Sequence, residues 1–160
     1  MKRISTIFLR VAIVVISLGI LAICSLLLPQ MWLDIGSGFS DYAYAIYIVF
    51  VALYMAAVPF FLAMYGAWRL LSYIDKGQAF TVGSVKAVRL ITVGAALVSV
   101  IYFASLPFFY IWADRDDAPG LVIIGMVLAG VPLVISVFAA LLACLIAEAT
   151  TIKTENELTV

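Results

Sequence analysis

Most side chains that could perform chemistry in this chain are confined to three polar segments. The first is the acidic segment 114–117, whose three aspartates and one arginine could coordinate a cation. The second is the segment 69–89, which carries four basic residues, and the third is the polar tail 148–160. The acidic segment lacks the spacing, the glycine and the terminal glutamate of a calcium-binding loop. We therefore interpret it as an acidic turn and predict no metal site.

The sequence lacks the residues on which most catalytic sites depend. It has no histidine, which excludes bis-histidine haem, histidine-based zinc sites and Ser-His hydrolases. Its cysteines, Cys24 and Cys144, should differ in depth by roughly 15 Å if each helical residue rises ~1.5 Å. A disulfide requires Cα atoms within about 7 Å of each other, so we interpret both cysteines as packing residues. We predict a protein that is not an enzyme, with no catalytic residue and no cofactor.

Long apolar stretches separate the polar segments and must position them. The chain is 67% hydrophobic and 11% charged, whereas a soluble domain carries about 25% charged residues. A helix of about 20 apolar residues crosses the ~30 Å hydrocarbon core of a bilayer, and four stretches are long enough. They predict an all-α polytopic membrane protein, with four transmembrane helices in an up-down bundle forming a single membrane domain over 1–160. The predicted helices are 11–28, 43–68, 90–113 and 120–147, with a loop at 69–89 and a tail at 148–160.

The distribution of basic residues predicts the orientation. Lys and Arg accumulate in cytoplasmic loops close to the ends of membrane helices. Of the nine Lys and Arg residues, only Arg115 falls on the side of the bundle opposite the termini, which leaves eight on the other side. We therefore expect a multi-pass protein of the plasma (inner) membrane whose N-terminus and C-terminus are both cytoplasmic.

Prolines and small residues within the apolar stretches bear on how the helices pack. Pro59, Pro107 and Pro132 each remove a helix donor and free one carbonyl group. They are either static kinks or hinges beside a carbonyl-lined cavity. Small residues recur every four positions in the last stretch, as two series beginning at Ser136 and at Ala139. Such residues allow close helix contact, either inside one bundle or between copies in a homo-oligomer.

The basic segment contains the signals of a helix end followed by a helix start. Gly77 suits the left-handed conformation that closes a helix. Thr81 is positioned to cap a new helix, on which Lys86 and Arg89 follow at helical spacing. One interpretation is a capped helix that enters the membrane from a basic collar. The other is a docking surface for a cytoplasmic partner or for anionic lipid.

At these residues the chain resembles the bacterial YoaS-like family of small four-helix membrane proteins, catalogued as a domain of unknown function. Its central loop usually reads Gly-x-Pro-Phe-Ser, followed by Asn-Val and Leu-Arg, and its acidic tail closes on Asp-Leu-Thr and Ile or Val. This chain departs from that pattern at Ala79, Ser84 and Glu157. The segments that carry the resemblance are 77–81, 84–85, 88–89 and 155–160.

The resemblance implies a plasma-membrane protein whose family has no established activity. Members are often encoded beside a small helix-turn-helix regulator, which implies a cytoplasmic protein partner of that kind. The formal net charge of zero gives no indication of direct binding to nucleic acid. Apart from the bilayer itself, such a protein is the partner we expect. The residues predicted to bind it lie in the loop and the tail: Phe80, Thr81, Lys86, Arg89, Glu155 and Glu157.

Two functions fit the sequence. The first is a non-enzymatic adaptor or regulatory partner that uses its cytoplasmic loop and tail. The alternative is a small transporter, immunity factor or binding protein for a lipophilic solute or peptide, suggested by the uncharged, aromatic-rich, proline-containing stretches. Tight helix packing without a cavity would favour the adaptor, whereas a cavity would favour the alternative.

Overall fold

The chain folds into four long helices. The computed structural model describes residues 2–27, 29–30 and 42–158. Each of the four helices has a segment long and apolar enough to cross a membrane, and the described residues form no strand. The predicted all-helical membrane fold is confirmed. The helices are α1 (Lys2–Ala22, followed by a π-helical turn at Ile23–Leu27), α2 (Ala43–Asp75), α3 (Val82–Arg115) and α4 (Gly120–Leu158).

The helices extend beyond the apolar stretches at the end of the molecule where α2 ends and α3 begins. Only the segment 76–81 separates these two helices, so most of the segment 69–89 between the predicted membrane stretches is helical. α4 likewise continues through most of the segment predicted as a tail. Apolar composition marks only the part of a helix inside the hydrocarbon, whereas Ala, Lys, Glu and Leu also favour helix in a polar setting.

α3 is the central helix, because it packs closely against both α2 and α4. Gly94 of α3 allows the closest approach to α2. A Cβ atom at this position would lie 2.7 Å from the Pro59 carbonyl oxygen and 2.8 Å from the Ala63 Cβ. Gly66 of α2 has the same role nearer the loop, since its Cβ would lie 2.8 Å from the Ala87 carbonyl oxygen. These contacts show why small residues occupy the α2–α3 interface.

Hydroxyl groups join α3 to α4. The Ser99 hydroxyl donates to the Ala129 carbonyl at 2.7 Å, and the Ser136 hydroxyl donates to the Thr92 carbonyl at 3.0 Å. Ala129 is completely buried in this interface. Interhelical hydrogen bonds of this kind stabilise membrane bundles by about 0.6 kcal/mol on average.

Only one of the two small-residue series in α4 faces the bundle. Ala139 and Ala143 are buried and pack around Val88 of α3. In the series beginning at Ser136, that serine is buried but Ala140 and Cys144 are exposed. At 3.6 residues per turn, Ser136 lies on the same face as Ala139 and Ala143, and each further step of four positions rotates the second series away from that face.

α1 lies at the periphery and packs against α2. No side chain is buried in the part of its apolar stretch that the structure describes. Near the start of α1, the Arg10 guanidinium donates to the Asp75 carboxylate at 2.6 Å and lies 5.2 Å from the centre of the Trp68 ring. At the other end, the Tyr54 hydroxyl donates to the Cys24 carbonyl at 2.9 Å. Polar contacts at both ends thus help hold α1 in place.

The three predicted hinge prolines lie within continuous helices. Pro59 is buried where α2 meets α3, and Pro107 is exposed on α3. Pro132 of α4 lies beside a cavity. The structure therefore gives each proline a different setting, and a hinge function for them stays a prediction.

Candidate functional site

The predicted glycine cap closes α2. Gly77 has a φ of 69°, in the left-handed region that glycine adopts without a steric penalty. Its N–H donates to the Ile74 carbonyl at 3.0 Å, and the Gln78 N–H donates to the Tyr73 carbonyl at 2.9 Å. These bonds satisfy carbonyl groups at the end of the helix. They define how the chain leaves α2.

Thr81 caps α3, as predicted. Its hydroxyl accepts a hydrogen bond from the Ser84 N–H at 3.4 Å and donates to the Gln78 carbonyl at 3.0 Å. The buried Ser84 hydroxyl donates to the same carbonyl at 2.8 Å. The Thr81 hydroxyl is therefore used within the loop, and it positions the neighbouring side chains rather than offering a free contact.

Two large apolar side chains flank Thr81 and face outward. Phe80 is 53% exposed and Val82 is 64% exposed. Lys86 and Arg89 are also exposed, and neither forms an ion pair with any described residue. The capped turn thus presents apolar and basic groups together. Sequence reasoning identified Phe80 but missed Val82, whose position directly after the cap was the available signal.

The predicted tail is a helical extension of α4. Ile152 is 67% exposed on it, and Glu155 is exposed as well. The predicted partner-binding side chain of Glu157 lies outside the part that the structure describes. Thr150 and Thr151 donate to the carbonyl groups four residues earlier, so their hydroxyls are satisfied within the helix.

The capped turn and the tail helix lie at the same end of the molecule. α3 begins and α4 ends there, and Val88 near the start of α3 belongs to an apolar cluster against which Ile146 near the end of α4 packs. This end therefore combines exposed apolar side chains with basic groups on the turn and an acidic group on the tail. We call it the basal face and define it by Phe80, Val82, Lys86, Arg89, Ile152 and Glu155.

The acidic segment forms a hydrogen-bonded cluster at the opposite end. The Tyr42 hydroxyl and the Trp112 indole N–H both donate to the Asp116 carboxylate. Among the described residues, no group of three or more acidic, histidine or cysteine side chains could hold a metal ion. The cluster therefore ties the start of α2 to the end of α3.

This cluster predicts an unusual tyrosine titration. The hydrogen bond to Asp116 raises the pKa of Tyr42 above its ordinary value of about 10. The contact should stabilise the fold fully below that value and lose its effect as the pH rises through the higher, folded-state pKa. Ultraviolet absorbance titration should show a late-ionising tyrosine that disappears in Tyr42→Phe. In Asp116→Asn the ionisation of Tyr42 should shift to lower pH, and an unchanged titration would contradict the assignment.

A cavity of about 290 Å³ lies between the helices, near the middle of the apolar stretches of α2, α3 and α4 and toward the end of that of α1. All four helices contribute to its lining, which carries no Asp, Glu, Lys or Arg. Pro132 is the one of the three predicted hinge prolines that lines it, and α1 contributes a further wall. Its lining includes Ile20 and Cys24 of α1, Ala57 and Phe60 of α2, Tyr102 of α3 and Pro132 of α4.

Comparison with known proteins identifies the family of this chain. Residues 30–160 match the profile of a family described as "Protein of unknown function (DUF2975)". The chain belongs to the DUF2975 family. Over 160 residues it is also 48% identical to the "Uncharacterized membrane protein YoaS" of Bacillus subtilis (strain 168), with both chains covered completely. No solved structure matches the chain significantly.

The DUF2975 match confirms the resemblance seen in the sequence. It includes the turn, α2, α3 and α4, and therefore every residue of the basal face. It begins after α1, which is also the helix that packs least extensively against the others. As a DUF2975 member with four apolar helices, the chain is a membrane protein of a family without an assigned function.

Proposed function

We propose that this protein is a non-enzymatic membrane adaptor whose basal face binds a cytoplasmic protein. The proposal places it in the plasma membrane with both termini in the cytoplasm. The excess of basic residues at that end supports this orientation, since eight of nine Lys and Arg residues lie there. No catalytic residue and no cofactor are assigned. The cavity between the helices supports the alternative of a binding protein for a lipophilic solute, and the two functions are compatible because the cavity lies apart from the basal face.

The observation that carries the proposal is the exposure of apolar side chains at a polar, capped end. Phe80 and Val82 project beside Lys86 and Arg89, and Ile152 projects from the tail helix. Exposed apolar groups bordered by charges are typical of sites of protein interaction. Aromatic side chains such as Phe80 are enriched in interfaces.

The charges of the basal face favour a partner with groups of both signs. Lys86 and Arg89 lie on α3, and Glu155 lies on the tail helix. Complementary charges steer association and select among partners. A small helix-turn-helix regulator is the candidate that the family resemblance suggests, and it would be held at the membrane through this surface.

Replacing Phe80 should weaken capture of the partner from solubilised membranes. Phe80→Ser removes the exposed ring without disturbing the Thr81 cap, and loss of a central aromatic contact typically costs at least about 2 kcal/mol, or roughly thirtyfold in affinity. Tyr44→Ser is the matched control, because Tyr44 is 54% exposed at the opposite end of α2.

Affinity capture followed by mass spectrometry would measure this effect. We expect one recurrent soluble protein with the unmodified chain and with Tyr44→Ser, and its loss with Phe80→Ser. Deleting residues 153–160 tests the tail separately and should also reduce recovery. Equal recovery from Phe80→Ser and the unmodified chain would contradict the role of the turn.

A further inference from the structure

The cavity between the helices is large enough to hold a small molecule. Its volume of about 290 Å³ is roughly twice that of the engineered ~150 Å³ cavity that accommodates benzene. It therefore has room for a molecule with about two rings. Its position near the middle of the apolar stretches of α2, α3 and α4 corresponds to the depth at which many transporters bind their substrates.

The dimensions favour a compact occupant over a lipid acyl chain. Along α2 the lining extends from Leu53 to Phe60, which is roughly 10 Å at ~1.5 Å per residue. An acyl chain crosses about half of the ~30 Å hydrocarbon core, or ~15 Å. A chain of that length would extend beyond the cavity, whereas a two-ring molecule fits within its length.

The lining is uncharged and offers one hydroxyl group. Tyr102 is 8% exposed, and its side chain makes no hydrogen bond with any residue in the described ranges. The hydroxyl oxygen itself is not fully buried, so it can donate to an acceptor atom on a molecule that lies in the cavity.

The packing of the helices leaves a lateral route to the cavity. α1 and α4 both contribute to the lining, yet α1 packs on α2 and α4 packs on α3. The space between α1 and α4 therefore faces the bilayer. A molecule dissolved in the lipid can approach through this gap without crossing water.

We propose that this cavity binds an uncharged, lipophilic molecule of about two rings that carries a hydrogen-bond acceptor for Tyr102. The molecule enters from the bilayer between α1 and α4. Ala57 and Phe60 of α2 form one wall of the site and Pro132 of α4 forms another. This site is separate from the basal face, so its occupation is tested independently of any cytoplasmic partner.

Benzophenone is a suitable probe, because it has two rings and a carbonyl acceptor and forms covalent adducts under light. The purified chain in lipid nanodiscs would be illuminated with increasing benzophenone, and adducts would be mapped by mass spectrometry. We expect saturable labelling at the cavity lining. Two competitors test the role of the carbonyl group. Diphenylmethane has two rings and no carbonyl, so it should displace benzophenone less effectively than 9-fluorenone, which retains the carbonyl.

Variants test the location of the site. Ala57→Phe fills the cavity and should lower saturable labelling about tenfold or more, as a loss of ~1.4 kcal/mol of affinity would. Ala104→Phe is the control, since Ala104 is exposed on α3 outside the cavity.

Tyr102→Phe should abolish the advantage of 9-fluorenone over diphenylmethane. Two results with the unmodified chain would overturn the proposal: labelling that rises linearly with the benzophenone concentration, or labelling that 9-fluorenone does not reduce. Both can be measured even if Ala57→Phe fails to fold.

Discussion

Replacing Gly94 with alanine should destabilise the fold substantially. The new Cβ would lie 2.7 Å from the Pro59 carbonyl oxygen and 2.9 Å from the Ala63 backbone nitrogen. Because these are backbone atoms, they cannot move aside as a flexible side chain would. Overpacking of this kind costs about 1–3 kcal/mol, and it should separate α2 from α3. The free energy of unfolding in mixed detergent micelles, followed by circular dichroism, measures the effect.

Gly130→Ala provides the matched control. Gly130 also lies inside a long helix, but a Cβ atom there would meet nothing within 4 Å. Alanine favours helix over glycine by about 1 kcal/mol, so this variant should be neutral or more stable. A stable Gly94→Ala variant would show that α2 and α3 do not pack through Gly94.

A second large effect is expected for the reaction of single cysteines at the two ends of the molecule with a reagent added outside the cell. Single cysteines at Gln78→Cys and Asp114→Cys would be placed in a background that carries Cys24→Ser and Cys144→Ser. The concentration of basic residues at the Gln78 end favours the cytoplasm for that end. A membrane-impermeant maleimide added to intact cells should therefore react at Asp114→Cys and leave Gln78→Cys unmodified.

Permeabilised cells provide the control for this labelling. Gln78→Cys should react once the membrane is opened, because Gln78 is exposed in the turn between α2 and α3. Labelling of Gln78→Cys, but not Asp114→Cys, on intact cells would reverse the proposed orientation. The basal face would then face away from the cytoplasm, and the adaptor proposal would fail.

The sequence predicted the helical fold and the turn because both depend on local chemistry. Long uncharged stretches have few alternatives to a membrane helix, and four helices are present. The glycine with positive φ at Gly77 and the capping hydroxyl at Thr81 are properties of single residues in a short segment. Their positions could therefore be deduced without knowing the tertiary structure.

The helices extend beyond the predicted membrane stretches. The stretch predicted to end at 68 lies within α2, which ends at Asp75, and the stretch predicted to start at 90 lies within α3, which begins at Val82. A run of apolar residues marks the part of a helix that lies in the hydrocarbon, whereas the helix itself ends where its backbone is capped. The Gly77 and Thr81 signals located the true boundaries more closely than hydropathy did.

The candidate sites needed information that only packing provides. Ile152 lies in a polar tail, and its position at the same end as the turn depends on α4 continuing as a helix past the bundle. The cavity arises from the relative positions of four helices. The pattern of residues along any one helix does not determine those positions. Pro132 could be named as a candidate from sequence, but its place in the cavity wall could not.

The central claim is that the basal face binds a cytoplasmic protein. Its most direct test is photo-crosslinking in native membranes with a photoreactive amino acid at Gln78 or Lys86, and with the same amino acid at Asp114 as the control. Adducts would be identified by mass spectrometry. The adaptor account predicts one recurrent soluble protein crosslinked at Gln78 and Lys86 and absent at Asp114. Adducts only to lipid or to the chain itself at both basal positions would contradict it.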